Sequence, residues 1–200
     1  MHARLVTITG ADVGAATKFL SEKVAPVASQ QKGFRQLAAA GDRSRGVINV
    51  ISVWDSKEDL EASESTFAKV RAEGVAAFGG QPSVRVFEQA VWQVGATPPQ
   101  PGCVLQLVRY KVEPGRIDDH LDWFRSEALP AIMARPGFRA ARNLVDRGTG
   151  DGSVGVVYSD RVALDAAADS RRQRMADARS RGMEFGDEDI LEVLYGSAPT

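Results

Sequence analysis

A chain that repeats itself at a fixed spacing is constrained to fold as two like units, and this sequence does repeat. Pro26 and Gly33-Phe34-Arg35 recur as Pro130 and Gly137-Phe138-Arg139, each 104 positions later. Asp42-Arg43 recurs as Asp146-Arg147 at the same spacing. So do Val50 and Val154, Val53 and Val157, Leu60 and Leu164, Ala62 and Ala166, and Glu88 and Glu192. Trp54 stands opposite Tyr158, one aromatic for another. Between the copies, Pro98, Pro99 and Pro101 stiffen the run from Gly95 to Gly102 into an extended connector. The expected organisation is a module at 1–95, a linker at 96–102 and a second module at 103–200.

Each module reads strand, helix, strand, strand, helix, strand. In the second, Val104 to Lys111 is β-branched and apolar enough for a strand. Ile117, Leu121, Phe124, Ala128 and Ile132 recur at spacings of three and four, which is one face of a helix. Arg135-Pro136-Gly137 stops that helix. Phe138 to Val145 and Val154 to Tyr158 read as strands around a hairpin loop of turn residues, Asp146 to Ser153. Asp160 caps a helix over 162–181, and Ile190 to Tyr195 is the last strand. The first module has expected strands at 3–9, 34–40, 47–54 and 83–92 and helices at 12–29 and 57–74, with Asp55 or Ser56 as cap of the second. This order is the ferredoxin-like α+β unit, a four-stranded sheet with both helices on one face. Strand 47–54 is apolar on both faces, with Val47, Ile51 and Val53 on one and Ile48, Val50 and Trp54 on the other. The open face therefore needs cover. Two modules packed sheet to sheet, as an α/β barrel within one chain, supply it.

Composition excludes several classes. With 25 Lys and Arg against 26 Asp and Glu, the net charge is −1, so there is no basic excess to hold a nucleic acid. No apolar run approaches the roughly 20 residues that span a bilayer. Met1 to Thr9 is too polar for a secretory core. Cys103 is the sole cysteine and cannot form an internal disulfide, which fits a reduced, cytoplasmic location.

The sequence resembles the dimeric α/β-barrel superfamily, and within it the antibiotic-biosynthesis-monooxygenase-like branch. Pro26 with Gly33-Phe34, and Pro130 with Pro136-Gly137-Phe138, are similar to that family's Pro-Gly-Phe entry into the second strand. Trp54-Asp55-Ser56-Lys57-Glu58-Asp59-Leu60 is similar to its strand end, W-x-S-x-E-x-(F/L). The haem-degrading branch carries a haem-ligating His and a Trp on the second helix of the module, and an Asn on the first strand. Helices 57–74 and 162–181 here contain neither His nor Trp, and the only histidines are His2 and His120. The resemblance thus implies no haem and no other cofactor. It implies a small hydrophobic or aromatic ligand, and an oxygenase that works without a cofactor on a phenol or quinol. In such chemistry the deprotonated substrate itself passes an electron to O₂, and the protein supplies a dry pocket and a proton acceptor. Where single-module relatives need a homodimer, this chain brings its own partner. A monomer is then a viable state, and a homodimer the other. The rival reading is a non-catalytic duplicated barrel that binds a metabolite or a protein. An isomerase or lyase of the same fold is the third.

His120 is the candidate proton acceptor, at the edge of an apolar helix face, with Ala16 as its counterpart. Arg109, Tyr110, Trp123, Phe124, Arg142 and Asn143 are the candidate ligand-binding residues. Arg142 and Asn143 face Ala38 and Ala39 in the repeat, so they belong to one copy only. The bland alternatives are specific. His120 would bond Asp119 or solvent. Arg109 would find an ion pair. Trp54 and Trp92 would seal a core. Arg35 and Arg139 would pair with Glu88 and Glu192. Gly148 to Gly152 is a turn without the lysine of a phosphate loop. Asp118, Asp119 and Asp122 form a solvated face, with no metal site, and the arginines of helix 162–181 an exposed, ion-paired one. Cys103 is expected to be inert.

Overall fold

A computed structural model describes residues 1–196, so the last four positions of the 103–200 module lie outside the described residues. The first half of the chain contains β1 (His2–Thr9), α1 (Val13–Phe19), α2 (Ala25–Ser29), β2 (Phe34–Asp42), β3 (Val47–Trp54), α3 (Lys57–Ala62), α4 (Glu64–Phe78) and β4 (Gln81–Val94). The second contains β5 (Val104–Lys111), α5 (Ile117–Trp123), α6 (Leu129–Met133), β6 (Phe138–Val145), β7 (Asp151–Tyr158), α7 (Arg161–Ala166), α8 (Ala168–Ser180) and β8 (Glu184–Gly196). The strands hydrogen-bond in a closed α/β barrel, in the order β1-β3-β2-β8-β5-β7-β6-β4. Residues 96–102 lie between β4 and β5.

Two compact units divide inside β4 and β8. One comprises Met1–Phe87 with the chain from Glu192, the other Glu88–Leu191. In the first unit, β3 pairs with β1 and β2, and β2 pairs with the end of β8, Gly41 opposite Glu192. In the second, β7 pairs with β5 and β6, and β6 pairs with the end of β4, Val145 opposite Glu88. The bulges repeat at the 104 spacing: at Arg35 and Arg139 in β2 and β6, at Ala90 and Leu194 in β4 and β8. One offset differs. His2 pairs with Trp54, whereas Val104 pairs with Tyr158, so β1 and β5 correspond at 102 positions. The β5-to-α5 connection is two residues longer than that from β1 to α1, and absorbs the difference.

The long first helix of each half is interrupted by one π-helical turn, Leu20–Val24 and Phe124–Ala128. The cause is the repeated proline. Pro26 and Pro130 have no N–H for the carbonyl four residues back and would press their rings against it. The wider turn relieves the clash, with Ala25 N–H bonding Leu20 O and Leu129 N–H bonding Phe124 O. Ser56 caps α3 by accepting from Asp59 N at 3.0 Å, and Asp160 caps α7 by accepting from Ala163 N at 2.8 Å.

The cores follow the two units. Trp54 is fully buried, edge-on to Phe34 and Phe67, with Leu60 beside it. Tyr158 and Leu164 take the corresponding places with Ile117, Leu121 and Phe124. Burying each such side chain stabilises the fold by about 1.5–3 kcal/mol. Cys103 is buried and free. Among the described residues, no helix is long and apolar enough to cross a membrane.

Three expectations need correction. β7 begins at Asp151, so the hairpin loop is shorter than 146–153. Gly152 and Ser153 look like turn residues, but they pair with Tyr110 and Arg109 on one side and with Val145 and Leu144 on the other. Gly152 is required there, because the Tyr110 ring lies where a Cβ would stand. β8 starts at Glu184, well before 190, and two of the carboxylates in that early stretch are matched: Glu188 accepts from Gln106 Nε2 at 2.7 Å, and Asp189 lies 2.9 Å from Arg109. Third, Arg35 pairs with Asp55 at 2.6 Å and not with the repeated glutamates. Those glutamates meet the repeated Asp-Arg pairs instead, Glu88 with Arg147 at 2.5 Å and Glu192 with Arg43 at 4.0 Å.

Candidate functional site

Within the unit Glu88–Leu191, a cavity of about 70 Å³ lies between the sheet and its helices. Strand alternation sends Gln106 and Val108 of β5 and Val154 and Val156 of β7 into it. The helical face from α5 through the π turn contributes His120, Trp123, Phe124 and Ala128. α8 adds Arg171, Arg174 and Met175, and Arg135 closes one side after α6.

His120 is 7% exposed, packed 4.9 Å from the Tyr110 ring and 6.0 Å from Trp123, centre to centre. Its polar neighbour is Asn143 and not Asp119. The Tyr110 hydroxyl donates to Asn143 Oδ1 at 2.7 Å, which turns the Asn143 amide nitrogen toward His120 Nε2 at 3.4 Å. An N–H donated to Nε2 leaves the ring proton on Nδ1. Burial pushes the His120 pKa down to about 4, so the ring is neutral at pH 7. Burial also raises the Tyr110 phenol, which therefore stays protonated and remains a donor.

The candidate residues sort onto two faces. His120, Tyr110, Trp123, Phe124 and Asn143 come together on the helix side. Of these, His120, Trp123 and Phe124 line the cavity, while Tyr110 and Asn143 stand behind His120, and Arg109 and Arg142, one position away on their strands, do not line it. Arg109 is held by Asp189. The buried Arg142 guanidinium lies 4.1 Å from the Trp92 ring centre, and burial lowers its pKa to about 9.

Sequence reasoning missed Arg135, Arg171 and Arg174. The arginines of α8 read as one solvated face. Arg172 does pair with Asp169 in the open, but Arg171 and Arg174 turn inward, Arg171 to within 3.5 Å of Glu188. The helical spacing of Arg171, Arg174 and Ala178 was the available signal. Arg135 Nη1 donates to the Tyr158 hydroxyl at 2.5 Å, while its Nε and Nη2 are buried and meet no acceptor among the described residues. The cavity thus combines apolar and aromatic walls with a neutral imidazole and guanidinium donors.

No protein-family profile matches the chain. The uncharacterized protein Rv2557 of Mycobacterium tuberculosis is 26% identical over 199 residues, spanning 98% of this chain and 86% of that protein. Among solved structures, an inferred monooxygenase from Lactobacillus acidophilus NCFM superposes with a TM-score of 0.72 at 13% identity, over 100% of this chain and 98% of that one. An anthrone oxidase-like protein gives 0.66 at 18% identity, over 98% and 92%. A ferredoxin-fold protein related to antibiotic biosynthesis monooxygenases, from Listeria monocytogenes 4b F2365, gives 0.55 at 10% identity, over 96% and 94%. At these identities the likeness is one of fold. The chain has the α+β architecture of the monooxygenase-like dimeric α/β barrels, as its Pro-Gly-Phe and Trp-x-Ser segments imply.

Proposed function

We propose that the cavity of the unit Glu88–Leu191 binds a small phenol or quinol and that the chain oxidises it with O₂ without a cofactor. The observation that carries this reading is the pairing of a buried, neutral His120 with the unmatched N–H groups of Arg135 across one apolar, aromatic-walled cavity. The anthrone oxidase-like neighbour supports the substrate class, since an anthrone is an ionisable, electron-rich aromatic.

In this reading His120 takes the phenolic proton, and Arg135, with Arg171 and Arg174, stabilises the phenolate, compensating for an imidazole that burial has made a weak base. The phenolate gives one electron to O₂. With a phenol that bears hydrogen at the para carbon, the resulting pair recombines there to a hydroperoxide, which loses water, so that one O₂ gives one quinone and one water. With a quinol, whose para carbon bears a hydroxyl, one O₂ takes two electrons and two protons and leaves as hydrogen peroxide, and the quinone is formed. Trp123 and Phe124 hold the ring and exclude solvent. Reading the chain as a duplicated module, at 1–95 and 103–200, goes with this proposal. It is supported by the repeated registers, bulges and π turns, and it makes the monomer a self-sufficient state in the cytoplasm.

A second reading, a non-catalytic metabolite binder, is favoured by one observation: His120 Nε2 already accepts from Asn143. Oxygen uptake separates the two. An oxygen electrode with anthrone and alkylated hydroquinones as probes is expected to show uptake that His120→Ala abolishes. Thermal stabilisation by the same compounds without uptake favours the binder. Neither uptake nor stabilisation overturns both.

A further inference from the structure

The unit that begins at Met1 holds its own cavity of about 70 Å³, at the corresponding place between sheet and helices, and its chemistry is different. Its walls are apolar: Val6, Ile8, Leu37, Ile48, Val50 and Phe78. Into this lining β1 places Arg4, an arginine that is 1% exposed, and α4 brings Arg71 beside it. Burial and the neighbouring Arg71 both disfavour the Arg4 cation, and Glu64 opposes them.

The hydrogen bonds of this pair are incomplete. Arg4 Nη2 donates to Leu60 O at 2.7 Å and Ser63 Oγ at 3.1 Å, and lies 2.9 Å from Glu64. Arg71 Nη2 bonds the other oxygen of the same Glu64. Arg4 Nε and Nη1 and Arg71 Nη1 are buried and meet no acceptor among the described residues. A buried donor left unmatched is costly, and charged donors more so. Two guanidiniums against one carboxylate also leave one positive charge without a counter-charge. The Phe67 and Trp54 rings, 5.2 and 5.7 Å from Arg4 Cζ, offset that charge only in part.

We infer that this cavity binds a short-chain monocarboxylic acid, its carboxylate on the free donors of Arg4 and Arg71 and its hydrocarbon tail along the sheet. One carboxylate supplies the missing charge and two acceptor oxygens. The apolar walls disfavour a bare inorganic anion, which would gain nothing from them. A cavity of about 70 Å³ keeps the hydrocarbon tail short. The corresponding residues of the other unit are Gln106 and Met175, so this chemistry belongs to one unit.

The test is calorimetric titration of the full chain with sodium hexanoate, 1-hexanol and inorganic phosphate. The expected result is one hexanoate per chain, bound at least tenfold more tightly than hexanol, with phosphate not competing. Arg71→Met and Val50→Phe, which remove a donor and fill the cavity, are each expected to weaken hexanoate at least tenfold. Because Arg4 is structural as well, it is followed without substitution: its Nε–H resonance shifts on hexanoate addition. His120→Ala leaves hexanoate binding unchanged, which separates this inference from the phenol reading of the other unit. Equal binding of hexanol, displacement of hexanoate by phosphate, retention in both variants or no binding at all would each overturn it.

Discussion

The two cavities are one scaffold with its polar groups dealt out differently. Ala16 and His120, Phe19 and Trp123, Leu20 and Phe124, Phe67 and Arg171, Val70 and Arg174, and Arg71 and Met175 occupy the same helical positions of the two units. On the first strands Arg4 answers Gln106, and Ile8 answers Tyr110. One unit thus keeps its cations on β1 and the inner turn of α4, around Glu64. The other moves them to α8 and to the end of α6, and adds a histidine. The comparison shows that backbone register and packing are held by a few large apolar anchors, which leaves the cavity positions free to diverge in charge.

The largest effects should fall on those anchors, and should fall alike. Trp54→Ala and Tyr158→Ala are each expected to cost about 3–5 kcal/mol in urea unfolding, with the slope unchanged. A cost under about 1 kcal/mol at either site would break the equivalence of the two cores.

A difference between the units appears in acid. An unfolded histidine titrates near 6.5, and folded His120 near 4. The folded pKa is depressed, so the stabilisation is present above 6.5 and is lost as pH falls from there toward 4. The loss is about 3 kcal/mol relative to His120→Gln. Ala16 gives the other unit no such term. Parallel pH–stability curves for wild type and His120→Gln would show that the ring is not buried.

How much of this was legible in the sequence follows from where each signal lives. The element order, the caps at Ser56 and Asp160 and the buried Trp54 are local or periodic, and they read directly. The early start of β7 and β8 did not, because Gly152 and the Glu184–Asp189 run carry turn and surface residues that are satisfied only by partners distant in sequence: Tyr110, Arg109, Gln106 and Arg171. Arg4 was overlooked for a related reason. A lone arginine in an apolar strand is informative only when Glu64 and Arg71, on a later helix, are seen beside it. His120, Trp123 and Phe124 share one cavity wall, as helical spacing dictates. Arg109 and Arg142 stand apart from that cavity because alternation along a strand turns neighbouring side chains to opposite faces.

Smaller effects sharpen the comparison further. Gly152→Ala forces the Tyr110 ring to move and is expected to cost about 1–3 kcal/mol by the same urea assay. The corresponding pair in the other unit, Ile8 with Ile48, has no such constraint. Least of all, Arg147→Ala is expected to cost at most about 1 kcal/mol, since its pairs with Glu88 and Asp118 are exposed, and Arg43→Ala less still, because its contact with Glu192 is longer. A reversed order would mean that the two ion pairs are not equivalent.

The most direct test of the central claim is a long-range ¹H–¹⁵N NMR titration of the His120 ring, with and without an alkylated hydroquinone. The account predicts a ring that stays neutral, protonated on Nδ1, down to about pH 4, and whose signals move with the Trp123 indole N–H when the hydroquinone binds. A ring that titrates near 6.5, or one unmoved at saturating hydroquinone, would contradict it.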